Sequence, residues 1–215
     1  MEFVTALTQM GCYDINRRNN PGYTPLTWVA RNGYKGTIKI VLEWEKVSPD
    51  MADNEGQTPL SHTSLCGHEG VAKVVLERKE VNAAGHSNKG QTPLMLAAHY
   101  EHQGVAKIFL GQKEANLRMA DNDDLTPLSY TAQRRHEGVV KVLLGEEEVN
   151  LGRPYDYGQA RLSSTTGHGY SGAIEILLGW EGVSPDEPSY GGRTPLLFAV
   201  QNEFSDVVRV LLGGE

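Results

Sequence analysis

One triplet, Thr-Pro-Leu, returns along this chain at a fixed interval. It stands at Thr24-Pro25-Leu26, Thr58-Pro59-Leu60, Thr92-Pro93-Leu94, Thr126-Pro127-Leu128 and Thr194-Pro195-Leu196. The first three steps are 34 residues and the last is 68, which is two periods. At the skipped station the chain reads Ala160-Arg161-Leu162, a degenerate copy. Such a period marks a row of supersecondary units, each too small to bury a core alone, that are stable only when stacked.

Other positions keep the same phase. Nine or ten residues after each Thr comes a Gly-aromatic pair or its relic: Gly33-Tyr34, Gly67-His68, Glu101-His102, Arg135-His136, Gly169-Tyr170 and Glu203-Phe204. A short apolar pattern follows, as in Val71-Ala72-Lys73-Val74-Val75-Leu76, and then a Val-Asn or Val-Ser element such as Val81-Asn82 or Val183-Ser184. Gly22, Gly56, Gly90 and Gly192 close the loops between units.

Each unit therefore reads as helix, turn, helix, extended loop. Thr caps the first helix through its hydroxyl, and Pro sits at the first helical position, where its missing N–H costs nothing. In the second unit the first helix is predicted over 59–65, with Gly67 supplying the turn. The second helix is predicted over 69–77, with Val71, Val74 and Val75 on one apolar stripe. Neither helix reaches the ~12–15 residues that an isolated helix needs in water, so neighbours must hold them. Tetratricopeptide repeats share the period but place Pro near the end of the unit, whereas here Pro opens it.

The unit resembles the ankyrin repeat. The best copies are Gly90-Gln91-Thr92-Pro93-Leu94-Met95-Leu96-Ala97-Ala98 and Gly67-His68-Glu69-Gly70-Val71-Ala72-Lys73-Val74-Val75-Leu76. The one-residue excess over the usual repeat, with strings such as Leu144-Gly145-Glu146-Glu147-Glu148-Val149-Asn150, is similar to the long arrays of filamentous fungal proteins. The resemblance implies an all-α ankyrin-type solenoid of helix-turn-helix units with hairpin-like loops, one domain over residues 1–215. Its units are 1–19 (partial), 20–53, 54–87, 88–121, 122–155, 156–189 (degenerate) and 190–215 (lacking the final loop). Two departures stand out. The family's His after Thr-Pro-Leu is replaced by Thr27, Ser61, Met95, Ser129, Ser163 and Leu197, so a hydrogen bond tightening each first turn is expected to be lost. The unit at Ala160 lacks both Thr and Pro, and losing a cap costs ~0.5–2 kcal/mol, so the array is expected to open first there. The partial opening unit, and a last helix (Val207 to Leu212) that looks like an internal one, suggest a piece of a longer protein or self-association through uncapped ends.

Composition bounds the function. Hydrophobic residues are 39% and charged residues 22% of the 215, enough apolar matter for a core and against a disordered chain. No apolar run approaches the ~18 residues of a membrane span, and Met1-Glu2-Phe3-Val4-Thr5 lacks the basic and apolar segments of a secretion signal. Two cysteines, Cys12 and Cys66, cannot build a disulfide framework and point to a reducing, cytoplasmic setting, with the nucleus left open. A net charge of −7 disfavours nucleic acid as a main partner.

Several motifs tempt and are absorbed by the repeat. Gly167-His168-Gly169-Tyr170-Ser171-Gly172 spells a dinucleotide fingerprint, but it follows a helix rather than a strand, and Gly169 and Gly172 fall on ordinary repeat positions. Asp121-Asn122-Asp123-Asp124 starts like a calcium loop yet has Ala132 where the bidentate Glu belongs, so it reads as a polar hairpin tip. His68, His102 and His136 lie one period apart. Stacked units are about 10 Å apart, too far to share one ion at ~2.0–2.1 Å, so a structural role is expected. Cys66 has no predictable His-Asp pairing, and Glu146-Glu147-Glu148 reads as a solvated loop. No catalytic, cofactor or metal site is expected.

Binding is expected where units carry no core duty, on an extended concave face made of loop tips and late first-helix positions; the ankyrin resemblance assigns the same places to partner contact. The tips carry Tyr23, Glu55, Gln57, Lys89, Gln91, Asp123, Leu125, Tyr190 and Arg193. The helix ends carry Arg31, His99, Tyr100, Gln133, Arg134, Gln201 and Asn202. Tyr23, Tyr100, Leu125 and Tyr190 are expected to be exposed and to lead, since aromatics dominate interface energy. Trp28, with His62, Leu96, Tyr130, Ser164 and Phe198 in its column, is expected to pack between neighbouring first helices. Trp44 and Trp180 are expected to cover the apolar stripe on the other side. The expected function is a non-catalytic scaffold for a protein partner; the alternative is a sensor or assembly arm of a larger signalling protein, with end-to-end stacking.

Overall fold

The first helices start where a β-branched hydroxyl precedes a proline. In a computed structural model of the chain, Thr24, Thr58, Thr92 and Thr194 are extended and accept the N–H of Thr27, Ser61, Met95 and Leu197 at 3.1, 3.2, 3.3 and 3.2 Å. Each hydroxyl satisfies one of the donors that a helix start leaves orphaned. The structure describes residues 14–112, 117, 119–123, 125–134, 136–145, 162, 166–167, 169, 171–179, 184–186, 188 and 192–213. Ala160, Trp180 and Tyr190 lie outside them, so the expectations placed there concern undescribed positions.

All regular structure among the described residues is helical. In chain order the helices are α1 (Pro25–Arg31), α2 (Lys35–Leu42), α3 (Pro59–Cys66), α4 (Glu69–Leu76), α5 (Pro93–His99), α6 (Gln103–Leu110), α7 (Pro127–Arg134), α8 (Glu137–Gly145), α9 (Ser171–Leu178), α10 (Pro195–Gln201) and α11 (Ser205–Leu211). They fall into two compact units, Met1–Pro127 and Leu128–Glu215.

In the first unit α1, α3 and α5 pack side by side as one layer, and α2, α4 and α6 pack as a second, with each pair joined through a tight turn. The stripe read on α4 is the buried one: Val71, Val74 and Val75, with Ala72, are closed to solvent. The second helices have no side-chain cap. They start instead from a backbone turn in which the N–H of Tyr34, His68 and His102 reaches the carbonyl of Val29, Thr63 and Ala97 at 3.2, 2.9 and 2.9 Å. That turn needs a left-handed residue just before it. Gly67 supplies it with φ +74°, and Glu101 adopts φ +62° at the equivalent place. Gly67 is required twice over, because a Cβ there would lie 2.5 Å from the His102 ring.

The histidine row has the structural role expected of it. His68 Nε2 lies 3.0 Å from the carbonyl oxygen of Arg31, and His102 Nε2 lies 3.1 Å from that of Leu65. Each ring thus ties one unit to the end of the preceding first helix.

The expected loss of a first-turn hydrogen bond is corrected. The hydroxyls of Thr24 and Thr27 are 3.0 Å apart and those of Thr58 and Ser61 are 3.2 Å apart. The Met95 sulfur receives the Thr92 N–H at 3.4 Å. A hydroxyl or thioether three residues after the cap reaches back and replaces the imidazole. Leu197 has no polar side-chain atom, so there the Thr194 cap alone remains.

The loops carry a ladder that the sequence reading did not register. The side-chain N–H of Asn54, Asn88 and Asn122 donates to the carbonyls of Asn20, Asn54 and Asn88 at 2.7, 3.0 and 3.0 Å, one period back each time. Their backbone N–H groups donate to Pro21, Glu55 and Lys89 at 3.2, 2.9 and 3.0 Å. Within each loop a side-chain oxygen at the preceding position closes the tip. Asp53 Oδ1 accepts the N–H of Glu55 and Gln57, each at 2.9 Å, and Asp121 Oδ1 accepts those of Asp123 and Leu125. The acidic string at 121–124 is thus a hairpin tip among its described residues, as expected. In the second unit α10 and α11 pair, α9 packs on α11 and touches α8. Leu162, Ile174, Leu177, Ala199 and Val207 form its core.

Candidate protein-binding surface

The loop ladder and the turn at each first-helix end place the variable residues. With their backbones bonded from unit to unit, the tips present Glu55, Lys89 and Asp123 exposed, while Gln57, Gln91 and Leu125 are half-buried. The first-helix ends present Arg31, Tyr100 and Arg134 exposed and His99 half-buried. Gln133 belongs to α7, and its side chain lies outside the described set. In the second unit Arg193, Gln201 and Asn202 are exposed. Asn202 also serves the fold, since its side-chain N–H donates to the Phe198 carbonyl at 2.8 Å. Two expectations need correction: Tyr23 and Leu125 are half-buried, not exposed, and the Tyr23 ring is covered by Arg31 of its own unit and His62 of the next.

Tyr23 sits at the centre of a small cluster. The Arg31 guanidinium lies over its ring, 5.4 Å from the centroid, and hydrogen-bonds its hydroxyl. The ring edge meets the His62 ring with centroids 5.1 Å apart and planes at 79°. Tyr100 stacks on His102 at 6.4 Å and meets His99 edge-on at 4.6 Å. The Arg193 guanidinium lies over Phe198 at 4.8 Å. Such cation–π and edge-to-face contacts hold exposed side chains in defined poses, which lowers the ordering cost of contacting a partner.

No local motif singles out His62 and Asp53, yet folding brings them together. Their side chains are each 2% exposed and pair through Nε2 and Oδ2 at 2.8 Å. Neutral imidazole donates through Nε2 and leaves Nδ1 as an acceptor, and Nδ1 is buried with no partner. Burial pushes the His62 pKa below its usual value, with the Asp53 hydrogen bond and charge opposing that shift only in part. A second proton would have to sit on Nδ1, where nothing accepts it.

The Trp28 column splits. His62, Leu96 and Tyr130 are buried as expected, but Trp28 is 53% exposed. No described first helix precedes α1 to cover it. Trp44 is half-buried. Among the described residues no group of three or more His, Cys, Asp or Glu could hold a metal, and no helix is long and apolar enough to cross a membrane.

The repeat geometry, the capped Thr-Pro starts and the loop ladder define an ankyrin-type array. The family model described as ankyrin repeats (3 copies) matches residues 1–85 and 79–154, and the ankyrin repeat model matches 191–215. The chain belongs to the ankyrin-repeat family. Among solved structures, the crystal structure of EF0377, an ankyrin repeat protein, is similar with a TM-score of 0.68 at 19% identity, covering 94% of this chain and 100% of that one. Comparison with curated proteins found no match. Ankyrin repeats generally mediate protein–protein interaction, and the family is generally non-catalytic.

Proposed function

We propose that the chain is a non-catalytic scaffold that holds a protein partner across loop tips and first-helix ends, the concave side of an ankyrin array. One observation carries this reading. Positions that repeat every 34 residues are spent on caps, turns and the loop ladder, while the variable outer tip residues Glu55, Lys89 and Asp123 and most variable first-helix ends stand exposed. Cys66, Tyr100 and Arg134 share one station, stand exposed and differ in chemistry. A fold that supports itself with periodic residues leaves the aperiodic ones free to specify a partner. The same reading takes residues 1–215 as one array, supported by the unbroken phase of the period.

Two double variants test it by affinity capture from lysate: Lys89→Ala with Tyr100→Ala in the first unit, and Arg134→Ala with Gln201→Ala in the second. Preys retained by the wild-type chain and lost by either variant, with unchanged circular dichroism, support it. Survival of every prey on both variants overturns it.

A further inference from the structure

Beside α1 the first unit leaves an open groove of about 1150 Å³. Arg17, Arg18, Tyr23 and Trp28 line it, and Asp14 is its one carboxylate among the described residues. Arg31 adjoins the groove through its contact with the lining residue Tyr23. Three guanidinium groups therefore gather on a chain whose net charge is −7. Among the described residues none of the three forms an ion pair. Arg18 is anchored by the Gly22 carbonyl and Asn54 Oδ1, both at 3.0 Å, and Arg31 by the Tyr23 hydroxyl. Each guanidinium has five N–H donors, so most donors in this cluster remain open. Beside them the Trp28 indole stands 53% exposed, although its period-mates His62 and Leu96 are only 2% and 3% exposed.

We infer that this groove binds an acidic peptide segment, with carboxylates on Arg17 and Arg31 and an apolar side chain against Trp28. The inference rests on the protein-binding reading and names the partner's chemistry at one edge of that surface. Carboxylates fit because a guanidinium fork takes them bidentately and because the Arg31 guanidinium is already held against Tyr23. A nucleic acid fits worse. Its phosphates would extend beyond the groove over a chain that is acidic as a whole, and the like charges would repel within a Debye length. A second copy stacked over Trp28 would bury the guanidinium groups, which is unfavourable unless the covering face brings carboxylates.

The test titrates the full chain into a fluorescein-labelled peptide of alternating glutamate and leucine and reads anisotropy. A lysine–leucine peptide of equal length and an oligothymidylate serve as comparison probes. The acidic peptide is expected to bind at least about tenfold more tightly than either. Arg17→Glu with Arg31→Glu should weaken it at least about tenfold, and Trp28→Ala should weaken it without charge change. Lys73→Glu, on the other helix layer, should leave it within about twofold. Circular dichroism confirms that each variant is folded. The inference is overturned if the acidic peptide has no advantage or if the charge reversals leave its affinity intact. It is equally overturned if oligothymidylate binds more tightly, or if sedimentation shows a dimer that Trp28→Ala dissolves. Preys lost from the Lys89/Tyr100 variant alongside an indifferent groove would sink this inference alone. A groove that responds as described, with every prey retained by both surface variants, would sink only the broader surface reading.

Discussion

At the scale of single residues, the array shows where a repeat position tolerates change and where it does not. The left-handed turn residue is Gly at 33, 67 and 169 and Glu at 101 and 203. A side chain in that region costs roughly 1–2 kcal/mol, partly offset by the smaller backbone entropy that Glu loses on folding. Glu203 is exposed with φ +57°, so it bears that strain at the surface. Glu203→Gly is therefore expected to stabilise the chain by about 1 kcal/mol, read as a higher urea midpoint at unchanged slope. A lower midpoint would show that Glu203 has a compensating contact. The same comparison explains why Gly67 could be read from sequence and the clash behind it could not. The Gly-His pair announces a turn, but only packing brings the His102 ring over Gly67.

At the scale of the element, α3 and the loop before it share a buried ionisable pair where the next unit has none. Ser87 and Leu96 occupy the stations of Asp53 and His62. The folded state holds His62 below its usual pKa of 6.5, so the unfolded chain takes up a proton first as the pH falls. Stability from this site is complete above about pH 6.5 and declines as the pH drops toward the folded value. Asp53→Ser with His62→Leu transplants the neighbouring unit's pair. It is expected to fold and to flatten the loss of stability between about pH 7 and 5, measured as thermal midpoint against pH. An unchanged slope in the double variant would place the acid sensitivity elsewhere. Neither residue stood out in the sequence, because Asp at a loop start and His in a helix are ordinary. Their significance arises from mutual burial at 2.8 Å. The asparagine ladder was legible in principle: Asn20, Asn54, Asn88 and Asn122 are one period apart. Asparagine is common in turns, so its recurrence alone does not announce a bond between units.

At the scale of the whole molecule, helices of seven to nine residues persist only through neighbours. Stability in such a row is a sum of unit and interface contributions, so the unit with the weakest start should open first. The station at Ala160-Arg161-Leu162 lacks both the capping Thr and the Pro, a deficit of ~0.5–2 kcal/mol for the cap alone. Amide hydrogen exchange is expected to be faster across 156–189 than across 54–121. Equal protection in the two regions would show that packing outweighs the missing cap.

The period carried the stacked helical architecture, and the place of Pro at the start of each unit separated the ankyrin type from tetratricopeptide units of the same length. Helix starts, turn glycines and the buried valine stripe followed from local chemistry that acts within a few residues. Side-chain environment did not follow, because it depends on which surfaces meet across units. Folding left Trp28 open while burying His62, Leu96 and Tyr130 at the same station, left Tyr23 and Leu125 half-buried, paired His62 with Asp53 and set Arg17 and Arg18 along a groove beside the Tyr23–Arg31 pair. Those outcomes rest on distances between residues far apart in the chain, and a repeat pattern read in one dimension does not contain them.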